Sequence, residues 1–240
     1  MTEDQKTSTG YRAWEYAAKG DYHRDLDPNW SYTPTYLCKM AFIRQLIRQL
    51  PAGARILDAG CGEGVLVQEF RNQGRLIEGL DLNYESECVQ QGSVLALPYA
   101  ANSFDLVLLL DIFEHLSFID QPLALKEVHR VLGRDGQLIA SIPNLAHCNS
   151  RFRMFFKGRL DRTDIETNHP GERPYEENKQ LLQQAGFNIL INQGITLTLP
   201  LVYRRLICRR PAAFRWLHDL LEPLAVPSLA MLNIFVCQKR

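Results

Sequence analysis

The sequence predicts an α/β protein organised on a doubly wound parallel sheet, and three observations carry that prediction. Short β-like runs at 55–59 (RILDA), 75–81 (RLIEGLD), 104–111 (FDLVLLLD) and 136–143 (GQLIASIP) alternate with helical patterns, the signature of strand–helix–strand units. The run LVLLL at 106–110 is apolar throughout, as a strand covered on both faces must be. The turn after the first strand, Gly60-Cys61-Gly62-Glu63-Gly64, places three glycines in five positions. Side chains there would keep a ligand away from the backbone.

Composition sets the outer limits. A chain of 240 residues fits one α/β domain, and 46% hydrophobic with 22% charged residues is enough to bury a sizeable core. Lys+Arg and Asp+Glu both total 27, so net charge gives no reason to expect a nucleic-acid partner. The six cysteines, at 38, 61, 88, 148, 208 and 237, are scattered singly without metal-ligand spacing. The polar N-terminus lacks the apolar core of a signal peptide, and no window reaches the roughly 18 apolar residues of a spanning helix. A reducing cytoplasm is the simplest address.

In chain order, residues 1–50 come first as a helical extension. Seven Tyr or Trp residues lie between 11 and 36, followed by an apolar-periodic helix through YLCKMAFIRQLIRQL. The aromatics read either as the core of a helix packed on the sheet or as a lid, with Tyr16, Tyr22 and His23 as the lid candidates. The strand at 55–59 leads through the glycine turn to a helix over 63–72, and the strand at 75–81 ends in GLDLN. After the strand at 104–111, Asp111 could simply open the following helix as an N-cap; if a helix begins there, Glu114 and His115 of DIFEHL lie at i+3 and i+4, close to one face. The helix QPLALKEVHRVLG has proline in its first turn and is expected to stop at Gly133. Beyond 136–143 come an insertion at 145–174, the helix EENKQLLQQAGF, a second insertion at 196–230 and a last strand, MLNIFVCQK. All of it is read as a single domain, 1–240.

The glycine turn is also informative about its ligand. A strand ending at a helix start aims free backbone N–H groups and the helix dipole at whatever lies beyond. The spacing Gly60-x-Gly62-x-Gly64 differs from the G-x-G-x-x-G of dinucleotide sites, because Val65 stands where the third glycine belongs. Asp81 follows 19 residues after Gly62, about where an acidic side chain accepts hydrogen bonds from ribose hydroxyls. A single adenosine-type ligand fits both features.

The stretches ILDAGCGEG, GLDLN, SFDLVLLLDIFEHL and VLGRDGQLIASIPN, in that order, resemble the successive motifs of the class I S-adenosylmethionine-dependent methyltransferases. The resemblance covers about residues 55–144, and LLQQAGFNILI is similar to the family's last helix and sixth strand. It implies a seven-stranded, mostly parallel sheet with an antiparallel last strand, for which MLNIFVCQK is suited, and S-adenosyl-L-methionine as the cofactor. Residues 51–144 would be the cofactor-binding half. Carried over by motif, Gly60, Cys61, Gly62 and Gly64 would pass the methionine part, Asp58 would organise the loop, Asp81 would hold the ribose and Leu82 would flank the adenine. Relatives commonly have an acidic residue where this chain has Ser93. A hydroxyl can still accept a hydrogen bond, but without charge, so Ser93 and Val94 are assigned to the adenine with a weaker contact. Asp111 completes the set, or only opens the following helix.

The same resemblance implies an acceptor beside the cofactor. His115 is the candidate catalytic residue, suited to take a hydroxyl proton. The family's oxygen methyltransferases sometimes place a base or a divalent metal near this turn; no metal ligands are assigned, and a hydrogen-bonded helix cap is the plainer reading of the histidine. The acceptor is expected to be small or lipid-linked, methylated through oxygen. Asn144 and His147 could line its pocket, or Asn144 could cap a turn. In the first insertion Arg151, Arg153, Lys157, Arg159 and Arg162 alternate with Phe152, Met154, Phe155 and Phe156, and the second mixes arginines with Leu206, Ile207, Phe214, Trp216 and Leu217. Either mixture suits a lipid-like acceptor or peripheral membrane contact, or a solvated helix. A nicotinamide-dependent reductase is disfavoured by the glycine spacing. A non-catalytic cofactor-binding protein remains the other class.

Overall fold

In a computed structural model, residues 26–160 and 169–240 are described. The lid candidates Tyr16, Tyr22 and His23, and Arg162 of the basic run, lie outside them. The elements are α1 (Thr33–Gln49), β1 (Arg55–Ala59), α2 (Val65–Asn72), β2 (Leu76–Asp81), β3 (Val89–Gln91), β4 (Phe104–Leu110), α3 (Asp120–Val131), β5 (Leu132–Pro143), α4 (Cys148–Lys157), α5 (Tyr175–Gln184), β6 (Phe187–Leu197), α6 (Arg215–Leu221) and β7 (Ala230–Lys239), with single 3₁₀ turns at Phe113–His115 and Glu222–Leu224 and a π turn at Tyr203–Ile207.

The seven strands lie in the order β3-β2-β1-β4-β5-β7-β6. Pairing is parallel from β3 to β5, whereas β7 runs antiparallel between β5 and β6. The expected seven-stranded sheet with an antiparallel last strand is thus present, and that strand is inserted rather than added at the edge.

Alternation along β4 shows why the run LVLLL is apolar throughout. Leu106 and Leu108 face one core, with Ile43 and Ile47 of α1 and Val67 and Phe70 of α2. Val107 and Leu109 face the other, with Leu125 and Val128 of α3 and Leu182 of α5. Each fully buried leucine contributes on the order of 1.5–3 kcal/mol, so a polar residue at any of these four positions would be strongly destabilising.

Two local expectations are corrected. The helix before β5 ends at Val131, not Gly133, and the strand begins at once at Leu132; Gly133 sits inside the strand, opposite an irregularity where β4 shifts register between Phe104 and Leu106. No α-helix begins at Asp111. That residue has φ +55°, which is incompatible with an N-cap, and only one 3₁₀ turn, Phe113–His115, precedes α3.

Candidate active site

The carboxyl ends of β1, β2, β4 and β5 open into a cleft of about 930 Å³, where open α/β sheets take their ligands. Its floor is the glycine turn. Gly60 has φ +85°, and a Cβ there would lie 2.1 Å from Cδ1 of Ile112, so a side chain would strain the backbone and displace Ile112. Four of the turn's five amides are already bonded within the protein, which corrects the expectation that they face a ligand. Gly60 N–H donates to the Leu80 carbonyl at 2.6 Å, Cys61 N–H to the same oxygen at 3.2 Å and Gly64 N–H to the Cys61 carbonyl at 3.1 Å. Gly62 N–H donates to Oδ2 of Asp81 at 2.8 Å. What the glycines supply is room, and β2 holds the turn in place.

Asp81 links both sides of this floor, since its Oδ1 also accepts the Asn83 N–H at 2.8 Å. Each oxygen is therefore oriented by one backbone donor, and the residue lines the cleft. Leu82, Ser93 and Val94 line the same wall. The Ser93 hydroxyl accepts the Leu95 N–H at 3.2 Å, a local turn bond that leaves it further acceptor capacity.

Asp58 is buried at the end of β1. Burial, then the neighbouring charge of Asp81, pushes its carboxyl up to about 7, against the pull of Lys39. A raised acid keeps its proton in the folded state while the unfolded chain releases it, so stability falls as pH climbs from 3.8 to about 7 and is level beyond. The ionised form then costs the fold on the order of 4 kcal/mol as an upper bound. Asp58→Asn is expected to raise the melting temperature at pH 8, with an advantage that shrinks toward pH 4 in a series of thermal melts. An advantage independent of pH would mean that Asp58 does not titrate in this range.

Asp111 closes the far side. Its carboxylate accepts from Ser141 Oγ, from the Lys39 ammonium and from Tyr32 OH at 3.2 Å. Burial pushes this carboxyl up, but the Lys39 charge and these hydrogen bonds outweigh it and hold it below the usual carboxylate range. Lys39 is itself buried, with its ammonium over the rings of Tyr32 (5.6 Å) and Tyr36 (5.4 Å). Asp111 thus locks α1 to the end of β4 instead of capping a helix.

Beyond Asp111 lie Glu114 and His115, brought to the cleft by the 3₁₀ turn rather than by an α-helical face. Glu114 is 4% exposed; burial and then the Asp111 charge raise its carboxyl well above the usual range. The half-buried His115 ring meets His169 edge to face, centroids 4.8 Å apart. His169 Nδ1 lies 3.1 Å from Oε1 of the buried Glu172. The two segments are cemented together. Gly171 N–H donates to the Glu114 carbonyl at 3.1 Å, and the Gln121 amide donates to the carbonyls of Phe113 (2.9 Å) and Gly171 (2.7 Å). A Cβ on Gly171 would come within 2.0 Å of the Leu116 carbonyl, so only glycine permits this approach.

Asn144 and His147 do not line the cleft. The buried Asn144 amide donates to the carbonyls of Ser228 and Ala230, and its oxygen accepts the Ala146 and Tyr175 N–H groups; it braces a turn. His147 pairs with Thr198 Oγ1 at 2.7 Å and is pushed down to about 4 by burial, a neutral structural histidine. The aromatics of α4 also point away from the cleft: Phe155 is 83% and Phe156 65% exposed. The second insertion does reach it, through Tyr203 and Cys208. Lys39, Tyr32, His169, Glu172 and Tyr203 are site residues that sequence reasoning missed.

Fold and cleft together define an S-adenosylmethionine-dependent methyltransferase of class I. The family model described as a methyltransferase domain matches residues 30–191, and the chain belongs to that family, whose cofactor is S-adenosylmethionine. Among curated relatives it is similar to a malonyl-[acyl-carrier protein] O-methyltransferase of Erwinia billingiae (36% identity over 99 residues, 37% of this chain and 39% of the relative). It is also similar to a probable S-adenosylmethionine-dependent methyltransferase of Mycolicibacterium smegmatis (30% over 154 residues, 60% and 56%). The match thus spans about two fifths to just over half the length of these relatives. A solved S-adenosylmethionine-dependent methyltransferase of Thermotoga maritima shares the fold, with TM-score 0.59, 18% identity and coverage of 94% of this chain and 97% of that one.

Proposed function

We propose that this chain transfers a methyl group from S-adenosylmethionine to an oxygen nucleophile on a small-molecule or lipid-linked acceptor. The observation that carries the reading is a single cleft with two chemically distinct ends: the Asp58–Gly62–Asp81 floor, and the Glu114–His115–His169 cluster beyond Asp111.

The floor fits the cofactor. A cationic ligand answers a buried Asp58 whose ionisation is otherwise penalised, and the Asp81 carboxylate, oriented by two backbone donors, suits a ribose diol. Gly60, Cys61, Gly62 and Gly64 leave space for the methionine portion, while Leu82, Ser93 and Val94 flank the adenine. When bound, the cofactor supplies a methyl group already activated on a sulfonium. Asp111 and Lys39 keep α1 against the end of β4, so that the far wall is fixed before the acceptor arrives. His115 activates the acceptor hydroxyl. Positioning carries most of the work, on the order of 7–11 kcal/mol for well-aligned reactants.

The oxygen assignment rests on the cluster and on the O-methyltransferase named among the relatives. Tyr203, Met231 and Leu232 give the acceptor side an apolar wall. The exposed aromatics of α4, with Trp216 and Leu220 of the second insertion, suit lipid or peripheral membrane contact; no helix among the described residues is long and apolar enough to cross a membrane. We read residues 1–240 as one cytoplasmic domain, with 145–174 and 196–230 forming the substrate side.

A screen of hydroxyl, carboxyl, amine and thiol acceptors, free and lipid-linked, with methyl-radiolabelled cofactor tests this reading. Label is expected on an oxygen acceptor, as a base- or acid-stable ether or an alkali-labile ester. Transfer confined to nitrogen or sulfur acceptors would overturn the oxygen assignment.

A further inference from the structure

We propose that Glu114, His115 and His169 form a divalent-cation site on the acceptor side of the cleft, selective for a first-row transition ion. Its role in the reaction rests on the methyl-transfer reading; the site itself does not.

One ligand atom from each residue lies within 4.8 Å of the other two. Donors about 2.0–2.2 Å from one ion stand at most roughly 4.4 Å apart, so small rotations of the half-buried rings close the site. A second, independent observation is the carboxylate itself. Glu114 Oε2 is buried and has no hydrogen-bond partner among the described residues, although Glu114 faces the cleft. Buried polar atoms are nearly always satisfied, and an ion would satisfy this one.

The surroundings have the organisation of a metal centre. With the Nδ1 hydrogen of His169 donated to Glu172 at 3.1 Å, Nε2 keeps its lone pair, the carboxylate–histidine arrangement that orients metal-bound imidazoles. The bonds from Gly171 and Gln121 hold the 113–116 turn against the 169–173 segment. Arg173 Nε donates to Oε1 of Gln121 at 2.7 Å and fixes that amide. The ligands are therefore preorganised from two distant parts of the chain. The half-buried Asp111 lies close enough for its charge to act on the buried Glu114, and a dication would relieve that like-charge repulsion.

Two imidazoles and one carboxylate, with no thiolate, favour Mn²⁺, Fe²⁺, Co²⁺ or Zn²⁺ over Mg²⁺ and Ca²⁺, and three protein ligands leave open positions. An acceptor hydroxyl taking one of them is acidified, as bound water is: its O–H bond breaks, the electron pair stays on oxygen and the proton passes to solvent. His115 on this account activates the acceptor as a ligand.

The test uses the full chain, freed of metal by chelator and dialysis, titrated with Co²⁺ alone and followed by calorimetry and visible absorption. One Co²⁺ per chain is expected, with the intense bands of a four- or five-coordinate centre. Glu114→Gln and His169→Ala should each raise Kd about 100-fold or more, and Glu172→Gln about 10- to 100-fold. Should either ligand variant fail to fold by circular dichroism, His115→Ala, whose side chain is half-buried, carries the same expectation. No stoichiometric site, or Co²⁺ affinity unchanged in the folded variants, overturns the proposal. Binding of S-adenosylhomocysteine, measured in parallel by thermal shift, should be the same with and without metal; its absence in the wild type would sink the cofactor assignment while leaving the Co²⁺ result standing.

Discussion

Asp81→Ala is expected to abolish the thermal stabilisation that S-adenosylhomocysteine gives the wild-type chain. A ligand at a hundredfold excess over its dissociation constant stabilises the folded state by about 2.7 kcal/mol, a readily measured rise in melting temperature; NAD should give none, because the floor fits one adenosine. Two losses combine in the variant. The ribose hydroxyls lose a charged acceptor, with each such hydrogen bond worth roughly 1.5–3 kcal/mol. Gly62 N–H and Asn83 N–H lose the carboxylate that holds them at 2.8 Å, so the glycine turn is no longer tied to the end of β2. Affinity should fall on the order of 10²- to 10³-fold. Asp81→Asn separates the two effects, since its amide can accept from one backbone donor but must present N–H to the other. It should therefore also bind poorly, while unfolding closer to wild type. If Asp81→Ala binds S-adenosylhomocysteine as tightly as the wild type, the assignment of this floor to the cofactor is wrong.

The cofactor side of the cleft was legible in the sequence because its determinants are local. Gly60, Gly62 and Gly64 are neighbours, and Asp81 ends the next strand, so spacing alone brings them together. The central strand was legible for a similar reason: LVLLL must be covered on both faces. β3 was not, because Val-Gln-Gln has neither alternation nor length. The acceptor side depends on contacts that spacing does not encode. His169 reaches His115 only because Gly171 lacks a side chain and Gln121 bridges the two segments, and nothing in the insertion around it marks that histidine. The cap alternative for Asp111 stayed open in the sequence, because its left-handed backbone and its bonds to Lys39, Ser141 and Tyr32 come from the tertiary fold. One signal was available and missed. Lys39 shares the stripe of Tyr36, Met40, Ile43 and Ile47 on α1, and a lysine on an otherwise apolar face requires a buried acid to receive it.

His115→Ala is expected to lower turnover by about 10²- to 10⁴-fold, the range for losing the group that activates a nucleophile, while leaving S-adenosylhomocysteine affinity nearly intact. The separation follows from position: His115 belongs to the cluster beyond Asp111, and the Asp58–Gly62–Asp81 floor makes no use of it. Two ways of acting on the acceptor make opposite demands on pH and on chelators. A proton-accepting imidazole becomes dispensable once the acceptor hydroxyl ionises unaided, so the variant's deficit would shrink at high pH, and a chelator would leave wild-type turnover unchanged. An imidazole that holds an ion is needed at every pH. Chelator would then abolish wild-type turnover, Mn²⁺ or Zn²⁺ would restore it, and Glu114→Gln and His169→Ala would be as damaging as His115→Ala. The unpartnered oxygen of Glu114 and the Glu172-oriented ring of His169 lead us to expect the second pattern: a deficit constant across pH 6 to 9 and shared by all three variants. Near-wild-type turnover of His115→Ala on the true acceptor would remove this histidine from the chemistry altogether and leave it a structural role, which includes its edge-to-face contact with His169.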